Sequence, residues 1–428
     1  MTDSSERWGK PVCVPGDEDR EQERGSGGGL AGSMADVGIY MDNAATSFPK
    51  PEAVIEAMAD FMRNVGASSG RGAYRKALEA DKIVFRARQA VARLLGVADV
   101  SRVVFTANAT ESLNLAIKGL LSPGDHVVTT SMEHNAVWRP LKAVERTRGV
   151  TISQVPCAHD GTLDPADIEA FLRPNTRLIV MTHASNVTGT LMPVAEAAAI
   201  ARARGIPLLV DCAQTVGVHP IDVERLGLDL VAFTGHKGLM GPTGTGGLYI
   251  RGGLDLVPLK DGGTGGDSML EHQPEWLPDR FEAGTLNVCG IAGLGAGVRF
   301  VLEEGVERIR EKEAGLLRRL LDGLSEIPGL EVYGPRDPAR QVAVVSLNVC
   351  GVPAEEVASR LDREYGIMVR AGLHCAPCAH RTIGTIQRGA VRISLGYFNT
   401  EGDVDQCVRA LARIAGRLSE VRLRADRS

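Results

Sequence analysis

Short apolar runs rich in β-branched residues alternate with stretches of helical periodicity through the middle of the chain. Each run has the length of a buried strand, and segments between them, such as 111–121 and 194–204, have the pattern of amphipathic helices. The runs are VVF at Val103, HVVTT at His126, RLIVMT at Arg177, PLLVD at Pro207 and LVAFT at Leu230. This alternation predicts an α/β fold with a mostly parallel sheet covered by helices on both faces.

The pattern changes after residue 290. A charged amphipathic helix is predicted over roughly 298–327, followed by the strand-like run VAVVSLNV, a helix from Pro353 and a closing helix from Thr400. We therefore predict a large domain over residues 38–295 and a smaller α+β domain over residues 296–428. Residues 1–37 are charged and rich in glycine and serine, a composition that predicts a disordered N-terminal extension.

Composition narrows the possible partners. Of 428 residues, 44% are hydrophobic and 24% charged, and the formal net charge of -5 offers no basic face for nucleic acid. No apolar stretch has membrane-spanning length and the first residues lack a signal-peptide pattern, so we expect a cytoplasmic protein. Eight cysteines are too sparse for a disulfide framework, and each is expected to be buried, catalytic or metal-bound.

Polar residues follow the predicted strands, at the sheet edge where α/β proteins bind ligands. PLLVD ends in Asp211 with Gln214 one turn on, and LVAFT ends in Thr234 just before His236 and Lys237. Alone, Asp211 would be read as a helix cap and Lys237 as a surface charge. Together they match the needs of pyridoxal 5'-phosphate (PLP), whose aldehyde condenses with a lysine and whose pyridine nitrogen is kept protonated by a carboxylate.

A phosphate group also needs a binding site. The segment TANATESLN places Asn108, Ala109 and Thr110 at the start of a predicted helix, where free backbone N–H groups bind anions. A plain N-cap by Thr110 is the alternative. Thr234 and His236 are placed to close the phosphate site from the other side. His134, in SMEHNAVW, is available to lie over the pyridine ring, although a lone histidine is more often a satisfied buried residue.

At this point the chain resembles the class V aminotransferase-like PLP enzymes, and within them the cysteine desulfurases and selenocysteine lyases. The resemblance runs through MDNAATSFPKP, TANATESLN, MEHNA, SNVTGT, DCAQ, TGHKGLMGPTGTGGLY, RFEAGTLN, RAGLHCAP and VRISLGYFNT. It implies the PLP-dependent transferase fold type I, with a mostly parallel seven-stranded sheet in the large domain and the catalytic cysteine loop in the small one.

The resemblance also assigns roles to residues around the cofactor. Lys237 would bind the aldehyde covalently, Asp211 would pair with the pyridine nitrogen, Gln214 would contact the ring hydroxyl and His134 would stack on the ring. The phosphate positions are matched by Ala109, Thr110, Thr234 and His236, with Ala109 limited to backbone contact. Thr285 matches a residue that reaches the phosphate of the neighbouring subunit, which implies a homodimer with shared active sites.

Substrate recognition is assigned to Asn186 and Arg392. The arginine has a physical reason of its own, because its planar fork binds a carboxylate at two points. The apolar residues around Arg392 in VRISLGYFNT predict a strand that carries it inward rather than a surface salt bridge.

The segment HCAPCAH, residues 374–380, allows three interpretations. A zinc or redox dithiol site is one, and a disulfide between Cys375 and Cys378 is another. The favoured interpretation makes Cys375 a nucleophile, because it matches the family's sulfur-accepting cysteine. Its thiolate needs positive charge or a base nearby, for which Arg370, His374 and His380 are local candidates.

These residues predict a cysteine desulfurase that converts L-cysteine to L-alanine and leaves a persulfide on Cys375 for a sulfur-acceptor protein, such as an iron–sulfur scaffold. Selenocysteine and cysteine sulfinate are alternative substrates. Another class V reaction in which Cys375 is incidental is a further alternative. A thiol or zinc binding module is the alternative from a different class.

Overall fold

The computed structural model describes residues 38–70, 72–266 and 268–425, so the predicted disordered extension over residues 1–37 lies outside the described residues. Its largest sheet has seven strands. One of them, β8 (Gly246–Ile250), is antiparallel to both of its neighbours, and the other six strands all run in the same direction. In spatial order the strands are β2 (Val103–Thr106), β8 (Gly246–Ile250), β7 (Leu230–Thr234), β6 (Leu208–Asp211), β5 (Thr176–Thr182), β3 (His126–Thr130) and β4 (Thr151–Val155). The predicted fold class and the seven-stranded sheet are confirmed.

Helices cover both faces of this sheet, which explains why its strands read as continuous apolar runs. On β2, Val103 packs in one buried cluster with Leu95, whereas Val104 packs in a second cluster with Ile117. The helices of this region are α1 (Glu52–Asp60), α2 (Arg75–Leu95), α3 (Ala109–Leu120), α4 (Asn135–Arg148), α5 (Ala166–Ala170), α6 (Val194–Ala203), α7 (Val223–Leu226) and α8 (Val288–Glu304). A π-helical turn, Phe61–Val65, continues α1.

A second sheet of four antiparallel strands lies in the C-terminal part, in the order β12 (Arg370–Gly372), β13 (Ala390–Ser394), β10 (Val344–Val349) and β9 (Leu330–Tyr333). A short parallel pair joins β1 (Ile39–Tyr40) to β11 (Ile367–Met368). The helices are α9 (Val306–Ser325), α10 (Ala354–Tyr365), α11 (Pro377–Thr382) and α12 (Glu401–Ala425). A separate buried cluster joins Leu317, Val345, Leu361 and Leu411. The predicted domain boundary at residues 295/296 falls inside α8 and stays a prediction.

The single helix predicted over 298–327 is wrong. The chain forms two helices, α8 and α9, which are separated by Gly305 with a φ of 83°. This backbone conformation is accessible to glycine and strained for other residues, so the glycine ends one helix and starts the next. The amide of Gly305 donates to the carbonyl of Val301, and its carbonyl accepts from the amide of Ile309. Among the described residues, no helix has the length and apolar character of a membrane span.

Candidate active site

A cavity of about 220 Å³ lies at the carboxyl ends of the parallel strands β5, β6 and β7. Most of the site residues predicted from the sequence line it: Ala109, Thr110, His134, Asn186, Asp211, Gln214, Thr234, His236, Lys237 and Arg392. Two predicted residues do not. Thr285 is exposed elsewhere on the chain, and Cys375 is exposed on a turn at the cavity's edge.

Lys237 is held in the cavity by the N-terminal segment of the described chain. The Ser47 amide donates to the His236 carbonyl at 2.9 Å, the Ser47 hydroxyl donates to the Lys237 carbonyl at 2.9 Å, and Lys50 Nζ donates to the His236 carbonyl at 2.9 Å. The motif MDNAATSFPKP therefore supports the lysine loop. Burial lowers the pKa of the Lys237 amine to about 8, and Asp211 opposes this shift. The unprotonated, nucleophilic amine is thus accessible near neutral pH.

Asp211 ends β6 and is buried beside the cavity. Its Oδ1 accepts from the Ala213 amide at 3.0 Å. Burial raises the pKa of this carboxyl, while the Ala213 amide and Lys237 act in the opposite direction. A cationic ring nitrogen in the cavity would favour the charged carboxylate further, so the side chain suits a protonated pyridine.

A second acid, Glu133, lies in the same buried region and was not predicted from the sequence. Its Oε1 accepts from the Thr130 hydroxyl at 2.6 Å and from the Thr182 amide at 3.2 Å. Burial, with a contribution from Asp211, raises the pKa of Glu133 to about 8, so it is predominantly neutral at pH 7. The only sequence signal was its position in the motif MEHNA, which says nothing of burial.

The start of α3 lies in the cavity wall, at the position where the sequence predicts a phosphate. Its N-cap is Asn108, whose Oδ1 accepts from the Glu111 amide at 3.0 Å, so the alternative of an N-cap by Thr110 is wrong. Ala109 and Thr110 open the helix and line the cavity. Thr234 ends β7 and also lines the cavity. Its buried hydroxyl has no hydrogen-bond partner among the described residues. An unpaired buried hydroxyl is costly, and an anion held by the helix start would satisfy it.

His134 and Gln214 are held by the backbone on the rim of the same cavity. His134 Nδ1 accepts from the Ala136 amide at 3.0 Å, which leaves the ring proton on Nε2. Burial and the neighbouring Lys237 lower the pKa of His134 to about 4, so the ring is neutral at physiological pH. Gln214 Nε2 donates to the Ala44 carbonyl at 3.1 Å.

Arg392 lies on β13 and is 1% exposed, as the apolar pattern of its strand predicts. Its Nη2 pairs with Asp42 Oδ1 at 2.6 Å and its Nη1 donates to the Asn186 carbonyl at 3.2 Å, while Nε has no partner among the described residues. Asp42 was not predicted, although it stands in the motif MDNAAT. The arginine fork is therefore oriented before any substrate carboxylate arrives.

Cys375 lies on a tight turn with the geometry of type I′. His374 and Cys375 have φ angles of 48° and 57°, and the Ala376 amide donates to the Leu373 carbonyl at 2.9 Å. Each left-handed residue other than glycine costs about 1–3 kcal/mol. Hydrogen bonds offset this strain, because the Asn135 amide donates to the Cys375 carbonyl and Asn186 Nδ2 donates to the His374 carbonyl, both at 2.8 Å.

Of the three candidate neighbours of the thiol, Arg370 is the one in contact. Its Nη2 lies 3.9 Å from Cys375 Sγ, and its side chain also lines the cavity. His374 Nε2 instead donates to the Ala390 carbonyl at 3.0 Å, and burial lowers the pKa of this ring to about 2. His380 Nδ1 bonds to the Thr385 hydroxyl at 2.7 Å. Both histidines are engaged away from the sulfur.

Comparison with known proteins gives the family. The aminotransferase class-V family profile matches residues 39–407. The probable cysteine desulfurase of Methanothermobacter thermautotrophicus is 37% identical over 384 residues, which are 88% of this chain and 95% of that protein. This chain belongs to the class-V aminotransferase family, among its cysteine desulfurases.

Solved structures of cysteine desulfurases agree with the fold. The enzyme of Thermococcus onnurineus matches with a TM-score of 0.84 at 35% identity, covering 89% of this chain and 95% of its own. The cysteine desulfurase CsdA of Escherichia coli, with an S-sulfonic acid, matches with a TM-score of 0.80 at 31% identity, covering 90% and 96%. The predicted family is confirmed, whereas the role of each site residue stays a prediction.

The cavity fits the PLP on which this family generally depends. Three features of the cavity decide this: the unpaired Thr234 hydroxyl, the buried Asp211 carboxyl, and the Lys237 amine with a lowered pKa. Within the described residues, no three or more His, Cys, Asp or Glu side chains are grouped to hold a metal ion.

Proposed function

We propose that this protein uses PLP to transfer the sulfur of L-cysteine to Cys375, with L-alanine as the second product. One observation carries the proposal: Arg370 lines the cavity that contains Lys237 and Asp211 and lies 3.9 Å from the Cys375 sulfur. A cavity suited to PLP and an exposed thiol are thereby joined in one site. Neither a plain transaminase nor a thiol binding module needs both parts.

The cofactor would be held by Lys237 and Asp211 at the ring and by the start of α3, Thr234 and His236 at the phosphate. PLP, when bound, supplies an aldehyde that condenses with amines and a ring that accepts electrons from the substrate's α-carbon. Asp211 keeps a positive charge at the ring nitrogen favourable, because a buried carboxyl gains most from a cationic partner. Neutral His134 and Gln214 complete the ring's surroundings.

Substrate binding falls to Arg392, which would bind the carboxylate of the amino acid. Asp42 already pairs with Nη2, and the side chain of Arg392 lines the cavity. Asn186 connects the two parts of the site, since its carbonyl accepts from Arg392 and its side chain supports the Cys375 turn. A carboxylate on Arg392 is thus placed beside the segment that carries the thiol.

Proton transfer is assigned to Lys237 Nζ. An amine with a pKa of about 8 can take the α-proton and return a proton near neutral pH. The Cys375 thiolate then attacks the substrate sulfur: a sulfur–sulfur bond forms, the carbon–sulfur bond breaks, and its electron pair stays with carbon, which is protonated. The products are alanine and a Cys375 persulfide, so atoms and electrons balance. Arg370 stabilises the attacking thiolate.

We also propose a homodimer in which Thr285 of one chain contributes to the phosphate site of the other, because Thr285 is exposed and does not line the cavity of its own chain.

The persulfide on an exposed cysteine suits transfer to a sulfur-acceptor protein. Cytoplasmic location stays a prediction.

The test is a variant series assayed for alanine, sulfide and bound persulfide. Cys375→Ser should retain PLP absorbance and lose persulfide and sulfide formation from L-cysteine. Lys237→Ala should lose the absorbance of the lysine-bound cofactor and the activity together, and Cys350→Ser, at another exposed cysteine, should behave as the parent. Selenocysteine and cysteine sulfinate serve as competing substrates. Full sulfur release by Cys375→Ser would refute the proposal.

A further inference from the structure

The proposed reaction leaves Cys378 without a role. This second cysteine of the Cys-Ala-Pro-Cys segment lies in the first turn of α11 and is 2% exposed. Its sulfur is 3.2 Å from Nη2 of Arg381, one turn further along the same helix. Two thiols separated by two residues thus each have a guanidinium group as neighbour, Arg370 for Cys375 and Arg381 for Cys378.

We infer that Cys378 is a resolving thiol that releases the sulfur from the Cys375 persulfide as sulfide when no acceptor protein takes it, an inference that rests on the proposed function. The Cys378 thiolate attacks the inner sulfur of the persulfide. A Cys375–Cys378 disulfide bond forms, the bond to the outer sulfur breaks, and hydrosulfide leaves with the electron pair. The Cys378 sulfur is oxidised, the outer sulfur is reduced to sulfide, and the Cys375 sulfur keeps the oxidation state it already has in the persulfide. An external dithiol must reduce the disulfide before the next turnover.

The spacing and charge of the segment support this step. A Cys-x-x-Cys segment at the start of a helix is the arrangement of dithiols that cycle through a disulfide. Attack requires a thiolate, and a guanidinium at 3.2 Å stabilises negative charge on the Cys378 sulfur. Cys378 is buried whereas Cys375 is exposed, so external reagents reach the Cys375 thiol first.

Bridging the two cysteines requires their Cα atoms to come within about 7 Å. The helix side is fixed: the Thr382 hydroxyl bonds to Ser131, and the His380 ring bonds to the Thr385 hydroxyl. The turn side holds two strained residues, His374 and Cys375, with positive φ. Two hydrogen bonds hold this turn, so a bridge would require them to break, and relief of the strain would offset part of that cost.

The experiment follows one turnover in a single peptide. Trypsin releases residues 371–381, which contain Cys375 and Cys378 and no other cysteine. Holoenzyme freed of reductant is mixed with L-cysteine and quenched with acid, and the peptide mass, alanine and sulfide are measured over time. In the parent, the peptide should lose two hydrogen atoms as one sulfide per site appears, and added dithiothreitol should restore turnover.

Cys378→Ala should still give one alanine per site, but its peptide should stay heavier by one sulfur atom, with a persulfide lifetime about tenfold longer or more because the intramolecular thiol is gone. Arg381→Met keeps the thiol and extends the tryptic peptide to residues 371–388, which contain no further cysteine, and it should lengthen that lifetime to a smaller extent. Cys350→Ala is the matched control and should behave as the parent.

Equal persulfide lifetimes in the parent and in Cys378→Ala, with no disulfide in the parent peptide, would overturn the inference while leaving the proposed function intact. Absence of the alanine burst and of any persulfide in all variants would instead contradict the proposed function itself.

Discussion

At the scale of single residues, the site depends on charges that are only partly neutralised within the chain. Asp211 and Glu133 are both buried acids with raised pKa values, and Lys237 is a buried base with a lowered one. Arg392 has a carboxylate partner in Asp42 but retains an unpaired Nε. Such groups are costly to bury, and the proposed zwitterionic substrate and anionic cofactor would provide the missing partners.

The lowered pKa of Lys237 gives a pH prediction. The amine must be unprotonated to condense with the aldehyde of PLP, and its pKa falls from an ordinary value near 10.5 to about 8. The rate at which cofactor-free protein takes up PLP should therefore rise with pH and level off above about pH 8. The absorbance of the lysine-bound cofactor measures this rate. Lys237→Ala should lack this absorbance change. A rate that keeps rising in proportion to hydroxide up to pH 10 would contradict the lowered pKa.

Arg370 is predicted to activate Cys375 by its charge. Two unit charges 4 Å apart in water interact by about 1 kcal/mol, so removal of the guanidinium should slow alkylation of Cys375 by iodoacetamide about fivefold. Arg370→Met tests this, with Arg370→Lys expected to recover part of the rate. Exposed Cys350 provides an internal reference for reagent access. Equal alkylation of Cys375 in Arg370→Met and the parent would show that another group activates the thiol.

At the scale of elements, the strands and the residues at their ends could be predicted from the sequence. Both the apolar runs and the polar residues that follow them are signals contained in short segments. Asp211 and Lys237 were found in this way. Gly305 was missed because helical periodicity continues across it, and only its φ of 83° shows the break. Asp42 and Glu133 were missed because their partners lie on distant segments, and sequence periodicity carries no information on such contacts.

Gly246, the first residue of β8, is predicted to be required for the anion site. A Cβ atom there would lie 2.7 Å from Asn108 Cα and 2.8 Å from the Phe233 carbonyl oxygen, and both neighbours are backbone atoms. Gly246→Ala should displace the start of α3, destabilise the protein by about 1–3 kcal/mol, and weaken PLP binding. Thermal unfolding and cofactor titration measure the two effects.

The matched control is Gly252→Ala, just after the same strand, where the nearest atom to a Cβ is the Arg102 side chain at 3.6 Å. It should leave both stability and PLP affinity near the parent values. If Gly246→Ala bound PLP as tightly as this control, the close approach of strand and helix would not shape the phosphate site.

At the scale of the whole molecule, exposed apolar side chains support the proposed dimer. Ile55, Met62 and Phe85 on or beside α1 and α2 are more than half exposed, and Trp276 is 47% exposed. The helices α1 and α2 both pack on α8, and apolar side chains that are grouped on a surface mark a protein interface. Thr285 lies in the segment just after Trp276, so an interface there would bring it to a second chain.

Mixed dimers decide whether Thr285 serves the neighbouring site. Differently tagged Lys237→Ala and Thr285→Val chains are combined, and the heterodimer is isolated and titrated with PLP. If Thr285 acts across the interface, the single site that keeps Lys237 also receives an intact threonine and should bind PLP with parental affinity. A dimer of the parent with a chain carrying both substitutions should bind about tenfold or more weakly, because one charged hydrogen bond to phosphate is lost. If the two heterodimers ranked in the opposite order of PLP affinity, Thr285 would act in the site of its own chain. A protein that sediments only as a monomer would exclude shared sites altogether.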